Sequence, residues 1–324
     1  MIYLSANPYT GENFFGFFSV LLQRIYAFFI GTSSGGVVSD EIQCIVLILL
    51  ALSLAFLGSF LVVKQMTMLA NALSHTLLVG IVIAFLILHR LLGDVFFLES
   101  FSSMKILWVA ALITGLITTL CTELLTHKFR VQEDASIGLV FTTLFALGIF
   151  LVTVFTRNMH IGVEAIMGNI DVLHVDDIQL AGIFTLVTLC FYLVFFRGFF
   201  VSAFDPIFSK TLGFPVRRLD YLLMVLTAGG AIASFRAVGV LLFLALLVGP
   251  VLIARLYTHN LKKVILFSFL ISSSCSLFSV ALSRHILTVF HKPISTSGLI
   301  VSCLFSLYLL ALWSSKKTKY LKLS

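Results

Sequence analysis

The chain predicts an all-α polytopic membrane protein of about nine transmembrane helices, with its C-terminus in the cytoplasm. Three observations lead there. Of 324 residues, 60% are hydrophobic and 11% are charged, against about 25% charged in a typical soluble domain. Mean hydropathy is +1.13, and 33 phenylalanines carry more apolar area than one soluble core can hide. The third observation is the placing of the charges, which leaves nine stretches of roughly the 20 apolar residues that cross a bilayer. Soluble multidomain, disordered and nucleic-acid-binding classes are excluded on these grounds. The net charge of +7 then reflects Lys and Arg gathered in cytoplasmic loops.

In chain order, residues 1–41 form an N-terminal segment in which Gln23 and Arg24 interrupt the apolar run Phe14–Ile30. That pattern predicts an interfacial helix rather than a span. No basic region precedes the apolar run, so a signal peptide is not expected. The nine spans are Ile42–Val63, Gln65–His89, Ile106–Leu125, Ala135–Thr156, Ile178–Phe196, Tyr221–Phe235, Ala237–Ala254, Val264–Ser283 and Ser295–Trp313. Together they make a transmembrane domain over 42–313, with a cytoplasmic loop over 197–220. The short span Tyr221–Phe235, which carries Gly229-Gly230, is expected to be broken or tilted.

Residues 314–324 form a basic tail with Lys316, Lys317, Lys319 and Lys322, which places the C-terminus inside. Alternation back through nine spans then puts Lys64, Lys128, Arg130, Arg197, Lys210, Arg217, Arg218, Arg255, Lys262 and Lys263 inside as well. Only Arg90, Lys105, Arg157, Arg236, Arg284 and Lys292 fall outside. The opposite orientation would invert that bias.

Cys44, Cys121, Cys190, Cys275 and Cys303 form no C-x-x-C pair and read as small apolar residues. The outer loops are acidic. Glu164, Asp171, Asp176 and Asp177 lie between spans four and five, and Asp94 and Glu99 between two and three. Either they attract a cation from outside, or they are carboxylates tolerated in an exported loop. No nucleophile elbow, H-E-x-x-H or phosphate-binding loop occurs. The chain therefore reads as a transport subunit and not an enzyme, and ATP, if used, is bound by a separate subunit.

His75, in Asn71-Ala72-Leu73-Ser74-His75, is the outstanding ionisable residue at membrane depth, where a polar group needs a partner or a function. Asn71 and His75 share a helix face. Imidazole suits manganese, iron or zinc, and the competing reading is a histidine bonded to a neighbouring helix. Glu123 and His127, four residues apart, read as a helical pair at the inner membrane edge or as a metal exit point. In the loop 197–220, Asp205-Pro206 has the form of a helix N-cap followed by Pro at the first position. Gly213 and Pro215 stop that short helix. Gly229, Gly230, Gly239, Gly249 and Pro250 are hinge candidates, since kinked helices line transport pathways, although small residues also serve tight packing.

Four segments resemble the permease subunits of bacterial ATP-driven importers for manganese, zinc and iron. They are MLANALSHTLLVGI over Met68–Ile81, EDASIG over Glu133–Gly138, MGNI over Met167–Ile170, and the long run from Phe204 to Arg255 containing FDPIFSKTLGFPVRRLD and RAVGVLLFLALLVGPVLIARL. The resemblance implies a fold like that of the vitamin B12 and siderophore importers. It also implies an ATP-binding subunit, a second permease (the same chain or a paralogue), an extracytoplasmic metal-binding protein, and a place in the bacterial inner membrane among its lipids.

By the same resemblance, Phe204, Asp205, Pro206, Gly213, Pro215, Arg217 and Arg218 would couple to the ATPase, and Ser74 and His75 would face the pathway. The divalent ion is cargo, with no tightly bound cofactor. The chain departs from the family at Ala70-Asn71, where Gly-Asp is usual, so a carboxylate is missing from that turn. A secondary cation transporter is the alternative. It would need a membrane-embedded carboxylate, and only Glu123 approaches that.

Overall fold

In the computed structural model, the described residues are 8–9, 11–30, 37–73, 75–76, 79–80, 82–84, 86–87, 104–155 and 170–323, and they are helical almost throughout. The helices are α1 (Phe14–Ile30), α2 (Ser39–Val63), α3 (Met104–Glu123), α4 (Glu133–Phe155), α5 (Val175–Phe204), α6 (Pro206–Thr211), α7 (Val216–Tyr257), α8 (Leu261–Phe290) and α9 (Thr296–Leu323). A π turn, Leu124–Lys128, follows α3, and a 3₁₀ turn, Ile170–Val172, precedes α5.

Among the described residues, seven helical stretches are long and apolar enough to cross a membrane: α2, α4, α5, the two parts of α7, α8 and α9. They correspond to seven of the nine expected spans. Ile106–Leu125 falls within α3 and its π turn, and Gln65–His89 lies partly outside the described residues.

Helix ends are fixed by local chemistry. Asp40 and Glu41 stand in the first turn of α2, where carboxylates favour the positive end of the helix dipole. Glu41 accepts the Val38 N–H at 3.1 Å. At the other end the Gln65 N–H reaches the Val62 carbonyl and the Met66 N–H that of Leu61, with Gln65 at φ +62°. This is a left-handed helix stop of the Schellman type. At the start of α5, Asp177 accepts the His174 N–H at 2.8 Å.

The chain divides into two units. The first comprises residues 1–55, 169–185 and 245–324. In it α1, about 25 Å long at 1.5 Å per residue, is shorter than the hydrocarbon core. It is held by an Arg24–Glu41 ion pair, by Tyr9 Oη donating to Glu41 at 3.1 Å, and by Phe14 against Phe278 of α8 at 5.4 Å. Arg284 of α8 reaches the buried Asp40 with two guanidinium nitrogens, one at 2.8 Å. Thr185 donates to the Leu49 carbonyl at 3.0 Å. Buried Ser268, Ser272, Ser276 and Ser279 line one face of α8, the small-residue surface by which helices approach closely in lipid.

The second unit comprises residues 56–168 and 186–244. Its core joins Leu69, Ala72 and Leu73 to Ile137 of α4 and Ala228 of α7, with Phe141 and Met224 against them. Gly80 permits the close approach of α3, because a Cβ there would stand 2.8 Å from the Ala110 carbonyl oxygen. On α3, Thr114, Thr118 and Thr122 donate to carbonyls four residues back, so their polarity is satisfied within the helix. α4 and α5 leave Leu139, Phe150, Leu186 and Leu193 exposed, as an apolar surrounding allows.

The α7 helix breaks at one residue, Gly239, with φ 77° and ψ 170°, a backbone region essentially reserved for glycine. The Tyr221–Phe235 stretch, expected to be broken or tilted, is not broken: it lies in one continuous helix from Val216 to Phe235. Both glycines are buried there, so their small size serves packing. Gly249 and Pro250 are also helical, with non-helical backbone angles confined to Gly239 within α7.

Two outcomes follow. Gly239→Ala is expected to cost about 1–3 kcal/mol, read as a lower unfolding midpoint in detergent, while Gly229→Ala costs less. Arg284→Met, which removes the bidentate partner of a buried carboxylate, costs about 3 kcal/mol or more. Adding Asp40→Asn recovers part of that loss, as a double-mutant cycle by denaturant unfolding would show.

Candidate functional site

Between α5 and α7 the chain forms a short capped helix at one end of the second unit. The Asp205 carboxylate accepts the N–H groups of Ile207 and Phe208, each at 2.9 Å, and Pro206 takes the first position, where no N–H is needed. The far end closes through Leu212 N–H to Phe208 (3.1 Å), Gly213 N–H to Lys210 (3.0 Å) and Phe214 N–H to Ser209 (3.1 Å). Gly213 has φ +82°, and Pro215 precedes α7. Ser209 is buried, whereas Phe204, Ile207, Phe208 and Leu212 are exposed. Among the described residues, α6 thus presents an exposed apolar face.

The loop is shorter than the 197–220 expected from sequence. α5 continues through Arg197 to Phe204, where the Asp205 N–H bonds the Val201 carbonyl at 3.0 Å, and α7 begins at Val216. One arginine ended the apolar window without ending the helix, since a long basic side chain extends to the polar side while its backbone stays helical.

The first turns of α7 carry Arg217, Arg218 and Asp220. Asp220 is ion-paired with Lys64 at the end of α2, whose side chain is only 7% exposed. Arg217 stands 3.8 Å from Glu123 at the end of α3, and is 67% exposed. Arg218 is exposed. Lys64, Asp220, Arg217 and Glu123 border a cleft of about 400 Å³, lined also by Gln65, Thr126 and Tyr221. The partner recorded for Glu123 is therefore Arg217. A π turn begins directly after Glu123, so its spacing to His127 is not that of a regular helix. The His127 side chain lies outside the described residues.

Deeper in the same unit, the half-buried His75 ring lies 5.5 Å from Phe141 and 5.4 Å from Phe145 of α4. Those two rings stack on each other at 5.7 Å. Asn71 is half-buried one turn before His75, and Ser74 lies outside the described residues. Among the described residues no three His, Cys, Asp or Glu side chains gather in a group that could hold a metal ion.

Of the four outer carboxylates, Glu164 lies outside the described residues. Asp171 accepts the Thr296 hydroxyl at 2.6 Å, Asp177 is the buried cap of α5, and Asp176 is exposed in the same turn. Two of the four thus tie helix ends together locally. Sequence reasoning missed the Lys64–Asp220 pair, whose partners are 156 residues apart. Its one available signal was a lysine at the end of a long apolar run.

Comparison with known proteins bears on this arrangement. Over 308 residues the chain is 37% identical to a "Probable metal transport system membrane protein" of Chlamydia trachomatis, covering 95% of this chain and 94% of that one. It is 34% identical over 242 residues to the manganese transport system membrane protein MntD of Bacillus subtilis, covering 69% and 76% of the two chains. Among solved structures it resembles PsaBC from Streptococcus pneumoniae in complex with Fab, with a TM-score of 0.69 at 25% identity over 87% of this chain and 94% of that one. Residues 42–315 match the ABC 3 transport family, and the chain belongs to that family, the metal ABC importer permeases that its four sequence segments resemble.

Proposed function

We propose that this chain is the membrane-spanning permease of an ATP-driven importer for a divalent transition metal ion, manganese, iron or zinc, in the bacterial inner membrane. The observation that carries this reading is α6, a capped helix that holds an exposed apolar face beside charged helix ends. An ATP-binding subunit gripping Phe204, Ile207 and Phe208 could transmit its motion through Asp205, Gly213 and Pro215 into α7. The relatives' names, which include a manganese transport membrane protein, support a metal as cargo.

His75 would be the transit ligand, with Asn71 and Ser74 beside it. One imidazole against two phenylalanine rings gives a weak station for a cation. That suits conduction, which requires release as well as capture. A second permease, the same chain or a paralogue, would face it and supply further ligands, and an extracytoplasmic metal-binding protein would deliver the ion. The pathway would open alternately to the two sides, with the break at Gly239 as its hinge. The ion is substrate, and no tightly bound cofactor is expected.

The test is metal content in a host stripped of its own importers, expressing this chain with its ATPase and delivery protein and read by mass spectrometry. One of the three metals should accumulate selectively. His75→Ala should lower accumulation by about tenfold, the worth of one lost ligand interaction. Asp205→Lys should abolish it, and Asp205→Ala, which removes a cap worth about 1 kcal/mol, should reduce it partway. Accumulation that survives removal of the ATPase would defeat the proposal and indicate a secondary transporter.

A further inference from the structure

The second unit contains a continuous mechanical path that neither the family assignment nor the proposed metal pathway supplies. α6 leads through Gly213 and Pro215 into the first turns of α7, where Asp220 projects to Lys64. Lys64 is the last residue before the left-handed stop at Gln65. Met66 follows, and residues 67–73 and 75–76 are helical, so Lys64 stands eleven positions before His75. Within that stretch Leu69 and Leu73 are fully buried in the core with Ala228 of α7.

We infer that the Lys64–Asp220 ion pair is the positioning link that makes the His75 segment follow α7 when the coupling helix moves. The argument rests on geometry and burial. An ion pair with a buried lysine resists separation, because pulling the charges apart leaves one of them desolvated and alone. The neighbouring Arg217–Glu123 contact, at 3.8 Å with an exposed arginine, is screened and yields easily. Two links therefore leave the same two turns of α7, one firm and one compliant. The firm one leads to the end of α2, directly before the His75 segment, and the compliant one to α3. A displacement of α7 would thus be passed to the His75 segment.

The inference rests on the permease reading, but its test does not need ion transport. The assembled permease and ATPase would be prepared with Asn71→Cys as reporter, in a background with Cys121, Cys190 and Cys303 replaced by Ser and the buried Cys44 and Cys275 retained. The rate of modification by a cationic methanethiosulfonate reagent is compared with and without a non-hydrolysable ATP analogue. The intact pair should show a change of about fivefold or more, the usual size of a coupling between distant sites. Lys64→Met and Asp220→Asn should each remove the response. Lys64→Arg, and the exchange Lys64→Asp with Asp220→Lys, should restore it.

A response that persists in Lys64→Met, or an intact pair with no response, overturns the link. Loss in Lys64→Met and Asp220→Asn that neither Lys64→Arg nor the exchange repairs also overturns it, because lost folding alone explains that pattern. Failure of the cells to accumulate metal would instead strike the functional reading and leave this result standing.

Discussion

The structure depends on one constraint: within an apolar slab, a polar group must be satisfied by its own helix or moved to the helix end. α3 shows the first solution. Thr114, Thr118 and Thr122 each return their hydroxyl to a carbonyl one turn back, and only Thr118 also reaches a neighbour, Thr76, at 3.0 Å. The second solution appears in four ion pairs of the described residues. Glu41 with Arg24, Asp40 with Arg284, Lys64 with Asp220 and Glu123 with Arg217 all involve a residue at or near a helix terminus. The middle of each span is left to shape, meaning leucines, small residues and close approaches such as Gly80 on α3. Charge and capping then fall to the termini, and α6 and the cleft beside it are there.

That constraint also explains what the sequence made legible. Hydropathy found the spans, because a helix in lipid must be apolar along its length. The cap of α6 was readable from Asp205-Pro206, since both the N–H deficit and the fixed φ of proline are local facts. Gly213 was readable for the same reason. Lys64 and Asp220 were not, because nothing local to either residue names a partner 156 positions away. The end of α5 was misplaced because a hydropathy window treats Arg197 as a boundary, whereas the backbone hydrogen bonds continue to Phe204.

Gly229-Gly230 and Gly239 show a sharper limit. Composition gives all three the same licence to bend, yet the pair lies in continuous helix and Gly239 alone leaves it. The pair sits in a buried stretch of α7, between Ala228 and Ala231. Gly239 follows Arg236, whose charge already interrupts the apolar run. Asp177 is a parallel case among the outer carboxylates. As one of several acids in a loop it invited an electrostatic role, but its neighbour His174 supplies an N–H three residues back and makes it a cap. The spacing was present in the sequence, and the acidic surroundings obscured it.

The position of the break in α7 bears on how motion would travel. The stretch from Val216 to Phe235 is tied at its start through Asp220 and Arg217 and packed midway through Ala228. A rigid forty-two-residue helix would oblige its second half to swing with the first. At Gly239, φ 77° and ψ 170° interrupt the helical backbone geometry, so α7 is not one uniform rod. Beyond the break Pro250 remains inside regular helix, so the second half offers one soft site fewer than its sequence suggests. The break divides α7 into two arms, and the first carries both Asp220, paired with Lys64, and Ala228, which packs with Leu69 and Leu73 in the core.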